Sequence, residues 1–410
     1  MRTRRNVLKA TAGTAAVGLS SGCLGTLSGS EQTVSFGAVY PLSGPLEQVG
    51  THGKRATEQA VRDINAAGGI NGRKIELTAI DSEATVETAV EGYREFAESG
   101  GVGLVGGLVS DVSIALSQEV ADDEIMEVSP ASTAPQLTTA GRAGDRKYFG
   151  RTVPSDGLQA AAMAKVVDDS LYIGADSVAL LSIDNSFGAG LAEAQRSLLD
   201  AEIVADVRYD SGADSFDGTL DTVFESDPDA VAFTSVSGQE AGILDAYSQR
   251  DEDVPWVFSA GMFGGDVPSY YEGFYSASLS SSRTDAYFDL LRRLSDIDSL
   301  EAFAANGYDA MFLMAAAAQQ AGETTGPAIA DTIRSVSGGT GHTVSVGDFD
   351  KVRSLTDAGR ELNYQGASGG VDLTENLEPL SSYLIQRIDG GVVESLELLQ
   401  RSFFESGGQQ

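Results

Sequence analysis

Val34-Ser-Phe-Gly-Ala-Val-Tyr40 runs directly into Pro41-Leu-Ser-Gly-Pro45, and Gly53–Ala67 follows with Ala56, Ala60, Val61 and Ile64 at helical spacing before Gly68-Gly69. Apolar residues at every second position make the first piece a strand. A period near 3.6 makes the second a helix, and the Pro and Gly clusters punctuate both. The same alternation continues outward. Lys74–Ile80, Val102–Val105 and Ile125–Val128 read as strands, with helices over Val86–Glu98 and Val112–Ala121. After Thr138–Pro154, rich in Gly, Arg and Pro, the pattern restarts. Strands are predicted at Ser177–Ile183, Ile203–Tyr209, Ala230–Ser235 and Val254–Ser259. Helices are predicted at Gly157–Ser170, Ala189–Ala201, Phe216–Glu225 and Gly238–Arg250. Two such runs predict an α/β chain of two doubly wound parallel-sheet lobes built from right-handed βαβ units. Beyond residue 283 the pattern is mostly helical (Thr284–Leu294, Glu301–Ala321, Ala328–Val336), then Gly-rich and strand-like from His342 to Leu399.

The N-terminus carries a separate message. Met1-Arg-Thr-Arg-Arg-Asn-Val-Leu-Lys9 is basic, a short apolar stretch follows, and Leu19-Ser-Ser-Gly-Cys23 closes it. That is the layout of an export signal. Arg4-Arg5 resembles a twin-arginine signal, and Cys23 stands where a lipoprotein is cleaved and acylated. A frayed basic helix is the alternative. The expectation is a signal over 1–22, a small polar tether over 23–32, and a chain fixed to the outer face of the cell membrane through lipid on Cys23. One acyl chain holds weakly, so two or more are expected.

Composition narrows the rest. The chain has 410 residues, 60 acids and 27 basic residues, a net charge of −33. Loss of 1–22 removes four basic residues and makes it −37 over 388 residues, enough for two domains. The acids are spread along the whole chain, so self-repulsion would loosen the fold in dilute buffer. At about 1 M salt screening acts within about 3 Å, which predicts a protein of strong brine. An acidic partner for calcium or basic ligands is the alternative, but no calcium-loop spacing occurs. Nucleic-acid binding is disfavoured for lack of a basic stripe. A single cysteine forbids an internal disulfide. Two histidines, His52 and His342, lie far apart in sequence, so zinc and Ser-His-Asp chemistry are not expected. No cofactor is expected. Ala310–Ala318 is too short to span a bilayer, which takes about 20 apolar residues, and reads as a buried core helix.

In doubly wound sheets the ligand crevice lies beyond the carboxyl ends of the strands. The segments there are Pro41–Gly50, Gly106–Ser113, Ser129–Leu137, Asp184–Gly190, Ser235–Glu240 and Ser259–Asp266. All are small and polar, and they open helices whose free N–H groups suit an anion. Ser and Thr at such places also cap helices without binding anything.

These segments carry a resemblance. Gly37-Ala-Val-Tyr-Pro-Leu-Ser-Gly-Pro45, Asp63-Ile-Asn-Ala-Ala-Gly-Gly-Ile-Asn-Gly-Arg73, Val105-Gly-Gly-Leu-Val-Ser110, Ser129-Pro-Ala-Ser-Thr-Ala-Pro-Gln-Leu-Thr138, Asp184-Asn-Ser-Phe-Gly188, Asn306-Gly-Tyr-Asp-Ala310 and Gly366-Ala-Ser-Gly369 to Asp372 occur in order over most of the chain. The set resembles the branched-chain amino-acid-binding receptors of ABC importers, with the type I periplasmic-binding fold, here of a haloarchaeal-like kind. The resemblance implies two lobes joined by a three-crossover hinge and closing over a small ligand. It places 33–153 plus 283–336 in the first lobe and 154–282 plus 337–410 in the second. It implies that Ser110 and Thr133 bind the ligand carboxylate through hydroxyls and N–H groups. The main chain near Ala131 and Ser132 would accept from the ammonium, and Phe187 would cover the ligand from the second lobe. Members that bind amino acids carry an acid after the strand corresponding to Val254–Ser259. Here Ala260-Gly-Met-Phe-Gly264 stands there, so Asp309 and Met262 are weaker candidates, and a non-amino carboxylate or an amide is a second class of cargo.

Three functions are compatible with this reading. An ABC-importer receptor, docking on membrane permease subunits, is the first. A ligand-binding subunit for a chemosensory transducer shares the fold and the site. An exported hydrolase needs a Gly-x-Ser-x-Gly elbow between a strand and a helix; the spacing occurs in the expected signal (Gly18–Gly22) and in the Gly-rich stretch Gly366–Gly370, but with His52 and His342 the only histidines an enzyme is not expected.

Overall fold

Strand β1 (Thr33–Tyr40) stops at Pro41, and helix α1 (Glu47–Ala66) stops before Gly68 and Gly69, whose φ angles are +96° and +76°. A Cβ on Gly69 would stand 2.0 Å from Arg73 O, so this turn admits only glycine. The helix buries Ala56, Ala60, Val61 and Ile64, the stripe that its spacing predicts. The computed structural model describes residues 33–236, 238–259, 267–280, 283–295 and 297–405. The expected signal and tether, Cys23 and Met262 lie outside the described residues.

The chain continues through β2 (Lys74–Asp81), α2 (Val86–Glu98), β3 (Gly103–Val105), α3 (Ser110–Asp122), β4 (Met126–Ser129), a small ladder of β5 (Arg142–Ala143) and β6 (Arg146–Lys147), and β7 (Phe149–Arg151). The first sheet runs in the order β2-β1-β3-β4-β7, all parallel. The strand order reverses between β1 and β3, and a crevice opens at the carboxyl ends of strands on either side of such a switch.

The second lobe begins with α4 (Asp156–Asp168), β8 (Ser177–Ile183), α5 (Ser186–Arg196), β9 (Glu202–Tyr209), α6 (Asp217–Phe224), β10 (Ala230–Thr234), α7 (Ala241–Tyr247), β11 (Trp256–Phe258) and β12 (Tyr275–Leu279). The chain then returns to the first lobe as α8 (Asp285–Arg293), α9 (Ala304–Ala321), α10 (Gly326–Ser337), β13 (His342–Val344), α11 (Phe349–Asp357) and β14 (Leu362–Tyr364). It crosses once more into β15 (Tyr383–Asp389), β16 (Val392–Leu399) and α12 (Arg401–Glu405). The second sheet runs β16-β15-β12-β11-β10-β8-β9, antiparallel only where β15 joins β12 and β16. Its order reverses at β8 and β10, the counterpart of the first switch.

Ala310–Ala318 is the centre of α9, and every residue in it is fully buried. It packs between α1 and α10 in the first-lobe core. No helix among the described residues is long and apolar enough to cross a membrane.

One boundary is corrected. The sequence placed 337–410 in the second lobe, but Val344, Phe349, Val352, Tyr364, Ala367, Val371 and Leu377 all pack into the first-lobe core. The Tyr364 ring stacks on Phe312 of α9 at 4.5 Å, and Phe349 meets the same ring edge-on at 5.7 Å. Burying each such large side chain stabilises by roughly 1.5–3 kcal/mol, which outweighs any pull toward the other sheet. The third crossing therefore comes after Leu377, and part of the strand-like stretch is the helix α11.

Candidate ligand cleft

Serine hydroxyls join the ends of β3 and β4. Ser129 Oγ accepts from the N–H groups of Ala131 (3.2 Å) and Ser132 (2.9 Å) and donates to Gly107 O at 2.8 Å. Ser132 Oγ donates to the same carbonyl at 3.1 Å and shares a 2.8 Å bond with Ser113 Oγ. Ser110 Oγ accepts from Ala134 N at 3.4 Å. The loops 106–113 and 129–134 thus form one wall at the predicted crevice. Beneath it lies Glu127, fully buried, with Oε1 accepting from Gly107 N at 3.2 Å. Burial pushes its carboxyl well up, against the pull of the Gly107 N–H and the Ser113 hydroxyl.

Helix α3 opens at Ser110 with no side chain capping its N-terminus, whereas Ser155 caps α4 and Asn185 caps α5. An uncapped helix start keeps N–H groups available for an anion. Ser110 and Thr133, the two residues expected at the ligand carboxylate, therefore stand on the same wall. Ser132 is buried within the serine network, and its carbonyl accepts from Arg151 Nη1 at 3.2 Å. Of the two residues expected to face the ammonium, Ala131 is the one whose carbonyl carries no such bond among the described residues.

The wall is fixed from behind by Arg151, at the end of β7 and fully buried. Its guanidinium donates to Ser132 O (3.2 Å), Ala134 O (3.0 Å), Thr138 Oγ1 (2.9 Å) and, through Nε, to Glu378 Oε2 (2.9 Å). Residues 152–155 form the first crossing and Glu378 begins the third, so this buried pair also ties two crossings together. Sequence reasoning missed it. The visible signal was a lone arginine after the apolar Phe149, ahead of Pro154, but its acid lies 227 residues away.

The opposite wall is the start of α5. Asn185 Oδ1 accepts from Gly188 N at 2.9 Å. Phe187, half-buried, packs against both apolar clusters of the second lobe. Ser186, beside it, donates its hydroxyl to the Asp111 carboxylate on α3, next to Ser110. The residues predicted from each lobe therefore flank a direct contact between the lobes. At the ends of β10 and β11, Ser235 N donates to Ser259 Oγ at 3.3 Å.

The candidate Asp309 is corrected. It is fully buried in the first lobe and accepts from Tyr364 OH (2.6 Å), Ala367 N (2.8 Å), Ser368 N (2.8 Å) and Ser368 Oγ (2.6 Å). No acceptor capacity remains for a ligand. Among the described residues no cluster of three or more His, Cys, Asp or Glu could hold a metal.

The lobes meet closely at Gly190. A Cβ there would lie 2.8 Å from Pro135 Cδ and 3.0 Å from Gln136 Oε1, both on the first lobe. Gly190→Leu is expected to wedge this seam open and weaken ligand binding about tenfold or more, since a ligand that needs closure then works against strain. Titration calorimetry measures it, with the unliganded melting temperature unchanged. Wild-type affinity in the variant would mean that the seam does not take part in closure.

A family model described as periplasmic binding protein matches residues 33–389. The chain belongs to the periplasmic binding protein family. Members of the family are substrate-binding receptors rather than enzymes. Its relatives include the chemotactic signal transduction system substrate-binding protein BasB of Halobacterium salinarum, 41% identical over 380 residues, 92% of each chain. The Leu/Ile/Val-binding protein homolog 3 of Brucella melitensis is 26% identical over 73% of this chain and 83% of its own. The structure of the branched-chain amino-acid transporter substrate-binding protein LivJ from Streptococcus pneumoniae, solved with isoleucine, superposes with a TM-score of 0.68 at 21% identity, covering 90% of this chain and all of that one. The fold expected for this periplasmic binding protein, two α/β lobes, stands.

Proposed function

We propose that this periplasmic binding protein is an exported, lipid-anchored receptor that binds an aliphatic amino acid between its lobes and presents the closed form to a membrane chemosensory transducer. The observation that carries the sensory role is the 41% identity to BasB across nine tenths of both chains. The cleft is consistent with a small zwitterion. An uncapped α3 and the residue 129–134 loop suit a carboxylate, and the Ala131 carbonyl suits a donor. Closure is a hinge motion about the three crossings, and the ligand stabilises the closed state by its differential affinity. Delivery to ABC permease subunits is the second reading, favoured by the likeness to Leu/Ile/Val-binding proteins.

Calorimetry of the chain in strong salt with leucine, isoleucine, valine, simple carboxylates and amides tests the cargo. Deleting the gene in its host separates the roles. Loss of attraction to the ligand with its uptake intact supports the sensor, and loss of uptake with attraction intact refutes it. Detergent-phase partition of the chain from host membranes tests the lipid on Cys23.

A further inference from the structure

Strand β2 is an edge of the first sheet, with β1 as its one strand neighbour among the described residues. In a parallel pair only alternate residues of a strand bond a given neighbour. Ser82 N, just past β2, donates to Tyr40 O at 2.9 Å, so the even-numbered residues turn to β1. The odd-numbered ones turn outward, as Ile75 shows. Asn65 of α1 reaches its backbone, accepting from Ile75 N at 2.7 Å and donating to Ile75 O at 2.9 Å. A side-chain amide there takes the place of a peptide from a further strand. Beyond Ile75 that cover stops. Leu77 and Ala79 turn the same way, and no side chain among the described residues bonds their N–H or C=O groups.

The open stretch runs beside a groove between β2 and α2. Thr78 and Ala79 stand exposed along it, and Ile80 and Phe96 are buried in its floor. A Cβ on Gly92 would lie 2.4 Å from Ile80 Cγ2, so α2 lies hard against the strand. The charged lining is all acid: Asp81, Glu91 and Glu95. Glu87, Glu91 and Glu95 follow one another at four-residue spacing, where like charges cost a helix stability. Arg94, at the border, is paired with Glu119 of α3 at 2.6 Å. At the end of the strand Asp81 Oδ1 accepts from Leu42 N at 2.8 Å, which joins this edge to the residue 41–50 segment of the cleft.

An extended chain laid along Leu77–Ala79 bonds their outward N–H and C=O groups, and its alternate side chains meet the α2 acids. We propose that this edge is a docking site for a strand-like segment with Lys or Arg at alternate positions, supplied by the membrane protein that the receptor serves. The inference rests on the receptor reading and adds to it where the partner binds. Charge complementarity names the occupant. The edges of the second sheet, β9 and β16, carry Glu202 and Asp206, and Glu394 and Glu397, so a second copy of this chain brings mostly like charge. At about 1 M salt charge acts only within about 3 Å. The backbone ladder then holds the segment, and direct ion pairs select it.

A benzoyl-phenylalanine placed at Thr78 of the full chain and illuminated in host membranes tests this. The adduct is expected to map by mass spectrometry to a Lys- or Arg-bearing extended segment of one membrane protein. Ala79→Pro removes an outward N–H that β1 does not use, which an edge strand tolerates, and should cut the adduct at least about tenfold. Glu91→Lys combined with Glu95→Lys leaves the strand untouched and should cut it as far. Leucine affinity of both variants, by titration calorimetry, should stay within about twofold of wild type. An adduct to a second copy, to residues 23–32 of this chain or to lipid overturns the proposal. So does the absence of any adduct, or one that either variant leaves unchanged. The crosslink does not depend on the cargo, so failure of leucine to bind overturns the amino-acid reading alone.

Discussion

Glu378→Ala is expected to lower the unfolding free energy by about 3–5 kcal/mol, the cost of leaving a buried charge without its partner. The Arg151 guanidinium is fully buried and Glu378 nearly so. Without the carboxylate, the cation keeps its bonds to Ser132 O, Ala134 O and Thr138 Oγ1 but loses its countercharge. Lys147 lies in the same seam, donating to Leu137 O at 3.3 Å and Asn376 O at 2.6 Å. Burial holds its amine down to about 7, and Glu378 is the group that pulls it back up. Removing Glu378 thus favours loss of that proton as well. The melting temperature should fall by about 5–15 °C, read by scanning calorimetry. Ligand affinity should fall too, because the residues 132–134 are held by Arg151. Glu378→Gln keeps an acceptor for Nε and should cost less than the alanine variant. A melting temperature within about 2 °C of wild type would show that the pair is solvated and does not hold the cleft.

Local pattern made the two βα runs legible because each element there announces its own period. Helix α2 and strand β8 lie at Val86–Glu98 and Ser177–Ile183, the limits that periodicity and flanking turns predict. Helix α11 did not announce itself. It has nine residues and buries only Phe349 and Val352, too little for a stripe, and Gly347 and Gly359 bracket it like a loop. The third crossing failed for a related reason. Strands β13 and β14 have three residues each, and their lobe is decided by Tyr364 and Phe349 meeting Phe312, a contact across 52 and 37 residues. Of the cleft, Ser110 and Thr133 came from family resemblance, and the fold sets them on one wall. Asp156 reads locally as an ordinary acid at a helix start. Its burial, with Oδ2 left unpaired among the described residues, is set by tertiary packing and is not written in that local pattern.

Asp309→Ala is expected to cost about 3–5 kcal/mol of stability, since each buried donor left unpaired costs about 1–3 kcal/mol and four donor groups, two of them on fully buried residues, lose their acceptor. Tyr364 OH, Ala367 N and Ser368 N all point at this carboxylate, and Tyr364 and Ala367 are fully buried. The turn around Gly366 is drawn in so tightly that a Cβ there would lie 2.5 Å from Asp309 Oδ2. Burial raises the Asp309 carboxyl, and the Ser368, Tyr364 and Ala367 bonds pull it down, so the charge is tolerated because the turn wraps it. The two roles considered for Asp309 separate cleanly on this variant. A ligand residue would lose affinity with little change in melting. A turn anchor loses stability while leucine affinity, measured well below the lowered melting temperature, stays within about twofold, because no bond of Asp309 reaches the loops 106–113 or 129–134. A large affinity loss at unchanged stability would return Asp309 to the ligand site.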